Sequence, residues 1–269
     1  LLTGHYQHGI ESMRMEGPYP GSEYDPDKCP FWPSAFRANG YQTAHIGKWH
    51  TGTDTGYGRD WDYQIVWNRP RHVKNAGNYY KTQLIEKNGG EAKMVEGYST
   101  DNYTKWAIDY LNGEGRDKDK PWYLWLCYGA VHGPFTPADR HLGAYEGISV
   151  QIPEDIYPPR EGKPAYMQKA ATWNKGDDGL PHLRGRRRAT GEFAGSRGKH
   201  GSDLTSWIRQ YHQGVLALDE AVGQLVETLK STGQYENTLI VFTSDQGFAW
   251  GQHGLCLLYT SPSPRDQCL

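Results

Sequence analysis

Residues 40–52 read GYQTAHIGKWHTG and place a fixed cation and a titratable ring two positions apart, as Lys48 and His50. Residues two apart on a strand point to the same face, so both side chains would be presented together. An ammonium group is a permanent point charge, and an imidazole gains or loses a proton near neutral pH. The ordinary alternatives are a solvated lysine at a strand end and a packed core histidine beside Trp49.

Polar side chains follow two further apolar runs. His132 comes just after WYLWLCYG, and Asp245 and Gln246 come directly after TLIVFT, with His253 a few residues further on. Ligands of open α/β sheets bind beyond the carboxyl ends of the strands. If these strand ends converge, they supply a metal-ligand pair, a fixed cation and imidazoles. Taken singly, each residue has an ordinary role, such as a turn for Asp245.

Helices and strands that position these residues can be read from hydrophobic periodicity and helix caps. The alternation of the two kinds of element favours an α/β sheet with helices on its faces. The stretches 51–97 and 133–203 read as long and irregular. The pattern predicts helices at 34–39, 99–112 and 206–232, and strands at 41–50, 122–129 and 238–243, the last two buried on both faces.

Composition excludes some classes of function. The 269 residues carry 29 basic and 31 acidic side chains, which gives no general attraction to nucleic acid or membrane. No apolar run reaches the roughly 18 residues of a membrane span. A glycine-rich basic loop at 183–200 is either solvated or a cationic lip for a polyanionic substrate.

The two ends of the sequence read as incomplete. The chain begins with Leu1 rather than methionine, which predicts a fragment. Residues 256–269, beginning CLLYTSPSPRD, resemble the translation of a sequencing-library adapter and are predicted to be a non-native tail. Without them, Cys29 and Cys127 remain, too few to define a disulfide framework. The predicted domain therefore covers residues 1–255.

Several segments resemble the type I sulfatases. GYQTAHIGKWHTG resembles their second signature, G-Y-x-T-A-x-x-G-K-W-H-x-G, and TSDQGFAWGQHG resembles their late metal-binding segment. LLTGHYQHG is similar to the stretch after their nucleophile motif, and HGPF to their H-x-P-F loop. These matches extend from Leu1 to Leu255.

The resemblance implies an alkaline-phosphatase-like α/β/α sandwich with a mixed, largely parallel central sheet. It also implies hydrolysis of sulfate monoesters of a small molecule or glycan, with a sulfated carbohydrate favoured, and a divalent metal, most often Ca²⁺. Export to the periplasm or outside the cell is common among such proteins. Nothing in the sequence indicates the oligomeric state.

Residue roles also follow from the resemblance. Lys48 would touch a sulfate oxygen, and His132 would bind sulfate or protonate the leaving oxygen. His50 would hydrogen-bond the nucleophile and help to deprotonate it. His253 is expected to bind substrate. Carboxylate and amide oxygens suit calcium, so Asp245 and Gln246 would be metal ligands, although glutamine is less usual there than asparagine or histidine.

The family nucleophile is a formylglycine made from C/S-x-P/A-x-R, and the printed sequence does not contain this motif. Family spacing places the motif just before Leu1, so these 269 residues alone are expected to hydrolyse no sulfate ester. Two other functions stay open. One is a phosphate or phosphonate monoester hydrolase of the same superfamily, and the other is a non-catalytic protein that binds sulfated glycans.

Overall fold

The computed structural model describes residues 2–4, 30–183, 203–245, 247–256 and 258–259. The chain divides into two compact units. Unit 1 comprises Leu1–His132 with Ala217–Thr238, and unit 2 comprises Gly133–Leu216 with Leu239–Leu269.

Unit 1 contains a five-stranded mixed sheet in the order β4-β3-β2-β1-β5. β1 pairs in parallel with β2 and β5, and β3 pairs antiparallel with both β2 and β4. The carboxyl ends of β1, β2 and β5 therefore meet at one edge of the sheet. The elements are α1 (Trp32–Ala38), β1 (Gln42–Trp49), β2 (Tyr63–Asn68), β3 (Lys81–Lys87), β4 (Lys93–Tyr98), α2 (Ser99–Leu111) and β5 (Trp122–Cys127).

The helices predicted at 34–39 and 99–112 are confirmed. α1 ends at Ala38, and Gly40 takes the left-handed φ of 84° that turns the chain into β1. The second predicted helix, 99–112, is α2. Asp101 lies in its first turn, where a carboxylate interacts favourably with the helix dipole.

The prediction that 51–97 is irregular was wrong, because β2, β3 and β4 lie there. β2 has the sequence YQIVWN, and all six residues are buried. Its polar members are paired inside the unit: the Gln64 amide donates to the Thr55 carbonyl at 2.8 Å, and Asn68 donates to the Thr53 carbonyl at 3.0 Å. Those internal bonds allow glutamine and asparagine in a buried strand, so an apolar pattern alone did not reveal it.

Large aromatic side chains fill the core around β1. Phe31, Trp49 and Val66 form one buried cluster. His45 is fully buried, with its ring centroid 5.3 Å from that of Trp49 and 5.2 Å from that of Trp61. Burial lowers the pKa of His45 to about 3, against a smaller opposing effect of the Lys48 main chain. His45 is therefore a neutral core residue.

Gly47 allows the close approach of β1 and β5. Its φ is 113°, and a Cβ atom built on it would lie 2.1 Å from the carbonyl oxygen of Cys127. No other residue type fits there without separating the two strands. This glycine directly precedes Lys48, so the tight pairing extends to the strand end that carries the predicted site.

Two predictions about apolar runs were wrong. β5 was expected to be covered on both faces, yet its six residues are all half-buried, and it is the outermost strand of the described sheet. TLIVFT (238–243) was expected to be a buried strand, but no described strand pairs with it. The exposed fractions are 89% for Leu239, 47% for Ile240, 75% for Val241 and 74% for Phe242. Without a described neighbour, these side chains have nothing to be buried against.

Unit 2 is held by an aromatic and aliphatic core and by short elements. The core consists of Ile156, Trp173, Leu204 and Cys256. The elements are α3 (Ala165–Lys169), β6 (Trp173–Lys175), β7 (Pro181–Leu183), the first part of α4 (Leu204–Ser231), β8 (Gly247–Phe248) and β9 (Leu258–Tyr259). α4 confirms the helix predicted at 206–232 and continues into unit 1. Except for Leu183, the basic loop at 183–200 lies outside the described residues.

Arg160 is a second structural centre of unit 2. Its guanidinium is buried and donates to four main-chain carbonyls at 2.5 to 2.7 Å, those of Asp155, Ile156, Met167 and Ala170. A guanidinium has five N–H donors and no acceptor, so carbonyl groups can satisfy it completely. Arg160 thereby ties the loop before α3 to α3 itself.

The segment predicted to be a non-native tail begins inside unit 2. Cys256 is buried, and Leu258–Tyr259 pairs antiparallel with Gly247–Phe248. The assignment of 256–269 to a tail stays a prediction. Among the helices of the described ranges, none has the length and hydrophobicity needed to cross a membrane.

Candidate functional site

The carboxyl edge of the unit 1 sheet carries Lys48 and His50. Lys48 is the second-last residue of β1 and pairs in register with Trp67 of β2. Both side chains are half-buried, whereas Trp49 between them is buried on the opposite face. The Lys48 ammonium lies 5.1 Å from the ring centroid of Tyr79, within the range of a cation–π contact.

Arg69 lies beside His50, one residue after β2. Its Nη1 atom is 2.5 Å from His50 Nε2 and 3.2 Å from Nδ1. Its Nε donates to the Ala76 carbonyl at 2.7 Å, and its guanidinium carbon is 5.4 Å from the Tyr79 ring centroid. Arg69 is thus a second cation at this edge, and its guanidinium is held by the Ala76 carbonyl and the Tyr79 ring.

His132 reaches the same place from the end of β5. Its imidazole stacks on Tyr79, with centroids 3.8 Å apart and planes inclined by 4°. The Tyr80 hydroxyl donates to the main-chain carbonyl of His132 and holds the backbone there. Lys48, Arg69 and His132 therefore all contact the Tyr79 ring, and His50 is joined to them through Arg69.

Tyr79 is the buried centre of this cluster. The edge of the Trp67 ring packs on it at 5.0 Å, and the Ser99 hydroxyl donates to its carbonyl at 2.7 Å. We refer to Lys48, His50, Arg69, Tyr79 and His132 as the sheet-edge cluster. Two cations and two imidazoles beside a buried ring form an environment that favours an anion over a cation.

Sequence reasoning missed Arg69 and Tyr79 because both lie in the stretch read as irregular. The buried run YQIVWN was the available signal, because it ends one residue before Arg69. Recognising that strand would have placed Arg69 at the same sheet edge as His50. No comparable signal in the sequence indicates that Tyr79 is the residue on which the cluster is assembled.

The predicted residues of the late segment lie in unit 2. Asp245 is exposed, and Gln246 lies outside the described residues. The described residues contain no group of three or more His, Cys, Asp or Glu that could hold a metal ion. Of the two predicted ligands, the structure therefore describes only the carboxylate of Asp245.

His253 is held by a carboxylate that sequence reasoning did not identify. The main-chain N–H of His253 donates to Asp155 Oδ1 at 3.0 Å, and its ring Nδ1 makes a short contact with Asp155 Oδ2. Partial burial works to raise the pKa of Asp155, but the hydrogen bonds from His253 outweigh it and lower that pKa. His253 also lines a cavity of about 350 Å³ with Phe248, Ala249 and Leu255.

Comparison with known proteins gives a consistent result. The family profile described as Sulfatase matches residues 1–266. An N-acetylglucosamine-6-O-sulfatase of Bacteroides thetaiotaomicron is 27% identical, over 94% of this chain and 49% of that protein. The human N-acetylglucosamine-6-sulfatase is 24% identical, over 95% of this chain and 43% of that protein. The chain thus spans about half the length of these relatives.

Two solved structures resemble the fold. The structure of BT4656 in complex with its substrate D-glucosamine-2-N,6-O-disulfate matches with a TM-score of 0.67 and 27% identity, over 87% of this chain and 53% of that one. The putative sulfatase yidJ of Bacteroides fragilis matches with a TM-score of 0.59 and 21% identity, over 87% of this chain and 46% of that one. These likenesses confirm the predicted fold class.

Proposed function

Because the chain belongs to the sulfatase family, we propose that it forms part of a hydrolase that cleaves sulfate monoesters of sulfated carbohydrates. One observation supports this most directly. The Lys48 ammonium at the end of β1 and the His132 imidazole after β5 both contact the Tyr79 ring, at 5.1 Å and 3.8 Å from its centroid. A sulfate monoester requires such a pair, because it is anionic and its leaving oxygen gains negative charge.

Lys48 and His132 have complementary roles in this proposal. The Lys48 ammonium binds a sulfate oxygen as a point charge. When the S–O bond breaks, the electron pair goes to the leaving oxygen, which takes a proton from His132 and departs as an alcohol. Water supplies the oxygen that ends on sulfur. Stacking on Tyr79 fixes the ring plane of His132, and a fixed ring orients the proton that it transfers.

The substrate class is proposed from the relatives. Two of them are named for the 6-sulfate of N-acetylglucosamine, and the substrate in the complex of BT4656 is a 6-O-sulfated glucosamine. We therefore propose a 6-O-sulfated glucosamine unit as the substrate. His253 stays a proposed substrate-binding residue, and within unit 2 it lines a cavity together with the apolar side chains of Phe248 and Leu255.

The family generally uses a metal ion and a formylglycine. Asp245 and Gln246 would offer two hard oxygen ligands, which suit calcium, and the cation would neutralise charge on the sulfate group when bound. The formylglycine motif does not occur in the printed sequence. The roles proposed for this chain are therefore sulfate binding by Lys48 and proton transfer by His132, and the 269 residues alone are expected to show no turnover.

Binding can be measured without turnover. We expect glucosamine 6-sulfate to bind the chain in a calorimetric titration, and Lys48→Gln to weaken that binding about tenfold or more, because a hydrogen bond to a charged group contributes about 1.5–3 kcal/mol. Lys93→Gln is the matched control, since Lys93 is an exposed lysine at the start of β4. Its binding should equal that of the unchanged chain.

Equal binding by the Lys48 and Lys93 variants would overturn the proposal. Glucosamine 6-phosphate tests the first alternative, because tighter binding of the phosphate than of the sulfate would favour a phosphate or phosphonate ester hydrolase. A variant with His132→Gln separates catalysis from binding. If a longer protein that contains these residues and hydrolyses the ester kept its full rate with this change, the proton-transfer role of His132 would be wrong.

A further inference from the structure

We propose that Arg71 and Lys74 bind a second anionic group of the substrate, separate from the sulfate group proposed for Lys48. The substrate is then a glycan that carries more than one anionic group. The inference takes the nature of the ligand from the proposed function, whereas the anion site itself rests on the structure of residues 69–75, which we call the 69–75 turn.

The 69–75 turn is the basic part of a long stretch of the chain that has no acidic residue. Its sequence is RPRHVKN, and neither aspartate nor glutamate occurs from residue 63 to residue 85. Over the whole chain, by contrast, 29 basic and 31 acidic residues nearly balance. Cations that are concentrated in one segment create a local field that attracts anions.

Strand pairing places the turn at the edge of the sheet that carries Lys48. β1 and β2 run parallel, with Lys48 opposite Trp67, and β2 ends at Asn68. The turn begins directly after β2 and so starts at the carboxyl edge. Arg71 Nη2 donates to the carbonyl of Thr53, in the segment that leaves β1, at 3.1 Å. Arg71 therefore joins the segments that follow the two strands.

Buried amide side chains hold both ends of the turn. Asn68 is buried, and the main-chain N–H of His72 donates to its carbonyl at 3.1 Å. At the other end, the buried Asn75 accepts from the Trp67 indole at 3.0 Å and donates to the Thr82 carbonyl at 2.9 Å. A segment that is already fixed loses little conformational entropy when it binds a ligand.

The exposed side chains of the turn include both proposed cations. Lys74 is exposed, and 51% of the Arg71 side chain is exposed. The guanidinium of Arg71 bonds to the Thr53 carbonyl through Nη2 and pairs with Glu86 through Nη1 at 3.6 Å. These contacts use at most two of its five N–H donors. The other donors can bind an anion while the existing contacts keep the guanidinium in place.

Two carboxylates that act on Arg71 are also paired with other groups. Glu86 is buried, and its carboxylate is bound by the His72 ring at 2.7 Å. Asp54, whose charge acts on Arg71 from a distance, is bound to Arg59 at 2.8 Å. Within the described ranges, Lys74 is in no ion pair. The turn therefore keeps positive charge that is available to a ligand.

Calorimetric titration of the full chain tests the proposal with two ligands. The probe is a tetrasaccharide of alternating uronate and 6-O-sulfated glucosamine units, and the reference is glucosamine 6-sulfate, which has one anionic group. We expect Arg71→Gln to lower the affinity for the tetrasaccharide about tenfold, because a hydrogen bond to a charged group contributes about 1.5 kcal/mol or more. The affinity for glucosamine 6-sulfate should stay unchanged.

Three further variants make the result specific. Lys74→Gln should lower the affinity for the tetrasaccharide about threefold, since exposed ion pairs are screened by solvent. Arg71→Lys keeps the charge without the planar fork and should restore part of the affinity. Lys120→Gln is the matched control, because Lys120 is an exposed lysine that precedes β5 at the amino edge of the sheet, and it should bind as the unchanged chain does.

The proposal is wrong if Lys120→Gln weakens tetrasaccharide binding as much as Arg71→Gln does. It is also wrong if neither Arg71→Gln nor Lys74→Gln has an effect. Lys74 decides the case if Arg71→Gln does not fold, because its exposed side chain can be replaced without disturbing a buried group.

A carboxyl-reduced tetrasaccharide identifies the second anionic group. If Arg71→Gln still weakens binding of this probe, the group is a sulfate. If the effect disappears, the group is the carboxylate of the uronate. Both results require Arg71 and therefore support the proposal.

The outcome is separable from that of the proposed function. A chain whose tetrasaccharide binding depends on Arg71 but not on Lys48 contradicts only the proposed function. A chain whose binding is weakened by Lys48→Gln but by neither Arg71→Gln nor Lys74→Gln contradicts only this inference.

Discussion

His50 in unit 1 and His253 in unit 2 are each held through a ring nitrogen, but their partners have opposite charge. The ring of His50 contacts the guanidinium of Arg69, whereas His253 donates from Nδ1 to the carboxylate of Asp155. These partners lie 19 and 98 residues away along the chain. The sequence motif supplies the histidine, and the fold decides which charge lies beside its ring.

The supports beneath these two histidines also differ. His50 follows a strand that is paired on both sides, so its position depends on the sheet. His253 lies in a segment that is bound to Asp155, whose carbonyl is bound in turn to the buried Arg160. Changes to the sheet should therefore affect the first histidine, and changes to the arginine network should affect the second.

The largest loss of stability should come from Gly47→Ala, which disrupts the pairing of β1, the strand that precedes His50. The new Cβ would overlap the Cys127 carbonyl, so β1 and β5 must separate. We expect a loss of at least about 4 kcal/mol in the free energy of unfolding, measured with urea. Gly40→Ala is the control, because it has a similar positive φ of 84° with open space around it, and it should cost about 1–2 kcal/mol. Equal losses would show that the backbone angle, and not the close approach, matters at Gly47.

Arg160→Met disrupts the hydrogen bonds of the arginine network in unit 2 and should cause the second-largest loss of stability. The change leaves four buried carbonyls without their donor, and we expect a loss of about 3 kcal/mol. Hydrogen exchange measured by mass spectrometry should locate faster exchange at residues 155–170 before any change in β1. Arg209→Met is the control, since Arg209 is partly exposed and binds the Ala144 carbonyl and the Glu146 carboxylate. If Arg160→Met accelerated hydrogen exchange equally at residues 155–170 and in β1, the two histidines would not have separate structural supports.

Acid should weaken the core beneath the sheet-edge cluster through His45. Its pKa is about 3 in the folded chain against 6.5 for the unfolded chain, so between these values only the unfolded chain takes up the proton. Stability from this residue is complete above pH 6.5 and falls by about 1.4 kcal/mol for each pH unit below it. His45→Leu should remove this component of the pH dependence. If the urea unfolding midpoints of the unchanged chain and the variant fell by the same amount from pH 7 to pH 5, this assignment would be wrong.

The smallest effect should come from Asp155→Asn, which sharpens the contrast between the two histidines. The amide oxygen can still accept from the His253 main chain, but the carboxylate charge is lost. Because these side chains are 34% and 42% exposed, solvent screening limits the loss to less than about 1 kcal/mol.

The pH dependence identifies the lost charge in this variant. Since the pKa of Asp155 is lowered in the folded chain, its contribution is present above pH 3.8 and disappears as the pH falls through the lowered value. The variant and the unchanged chain should therefore converge in stability at low pH. A constant difference down to pH 2 would indicate that packing, and not charge, is responsible.

Much of the frame could be predicted from the sequence because local rules determine it. β1, α2 and α4 have clear periodicity and caps, and the parallel pairing of β1 with β5 accounts for the placement of Lys48 and His132 at one edge of the sheet. Arg69 and Asp155 could not be predicted in the same way, because their roles depend on register and on long-range contacts. The run TLIVFT shows the converse limit, since apolar residues predict burial only when a neighbouring element is present to cover them.

The exposed run Leu239–Phe242 has a practical consequence for anyone who purifies this chain. With the threonines on either side, this run forms the six-residue segment TLIVFT (238–243), which has no charge or proline and has the composition of segments that stack into cross-β assemblies. A concentrated solution should therefore form fibrils that bind thioflavin, and Val241→Lys should suppress them by placing a charge in the segment.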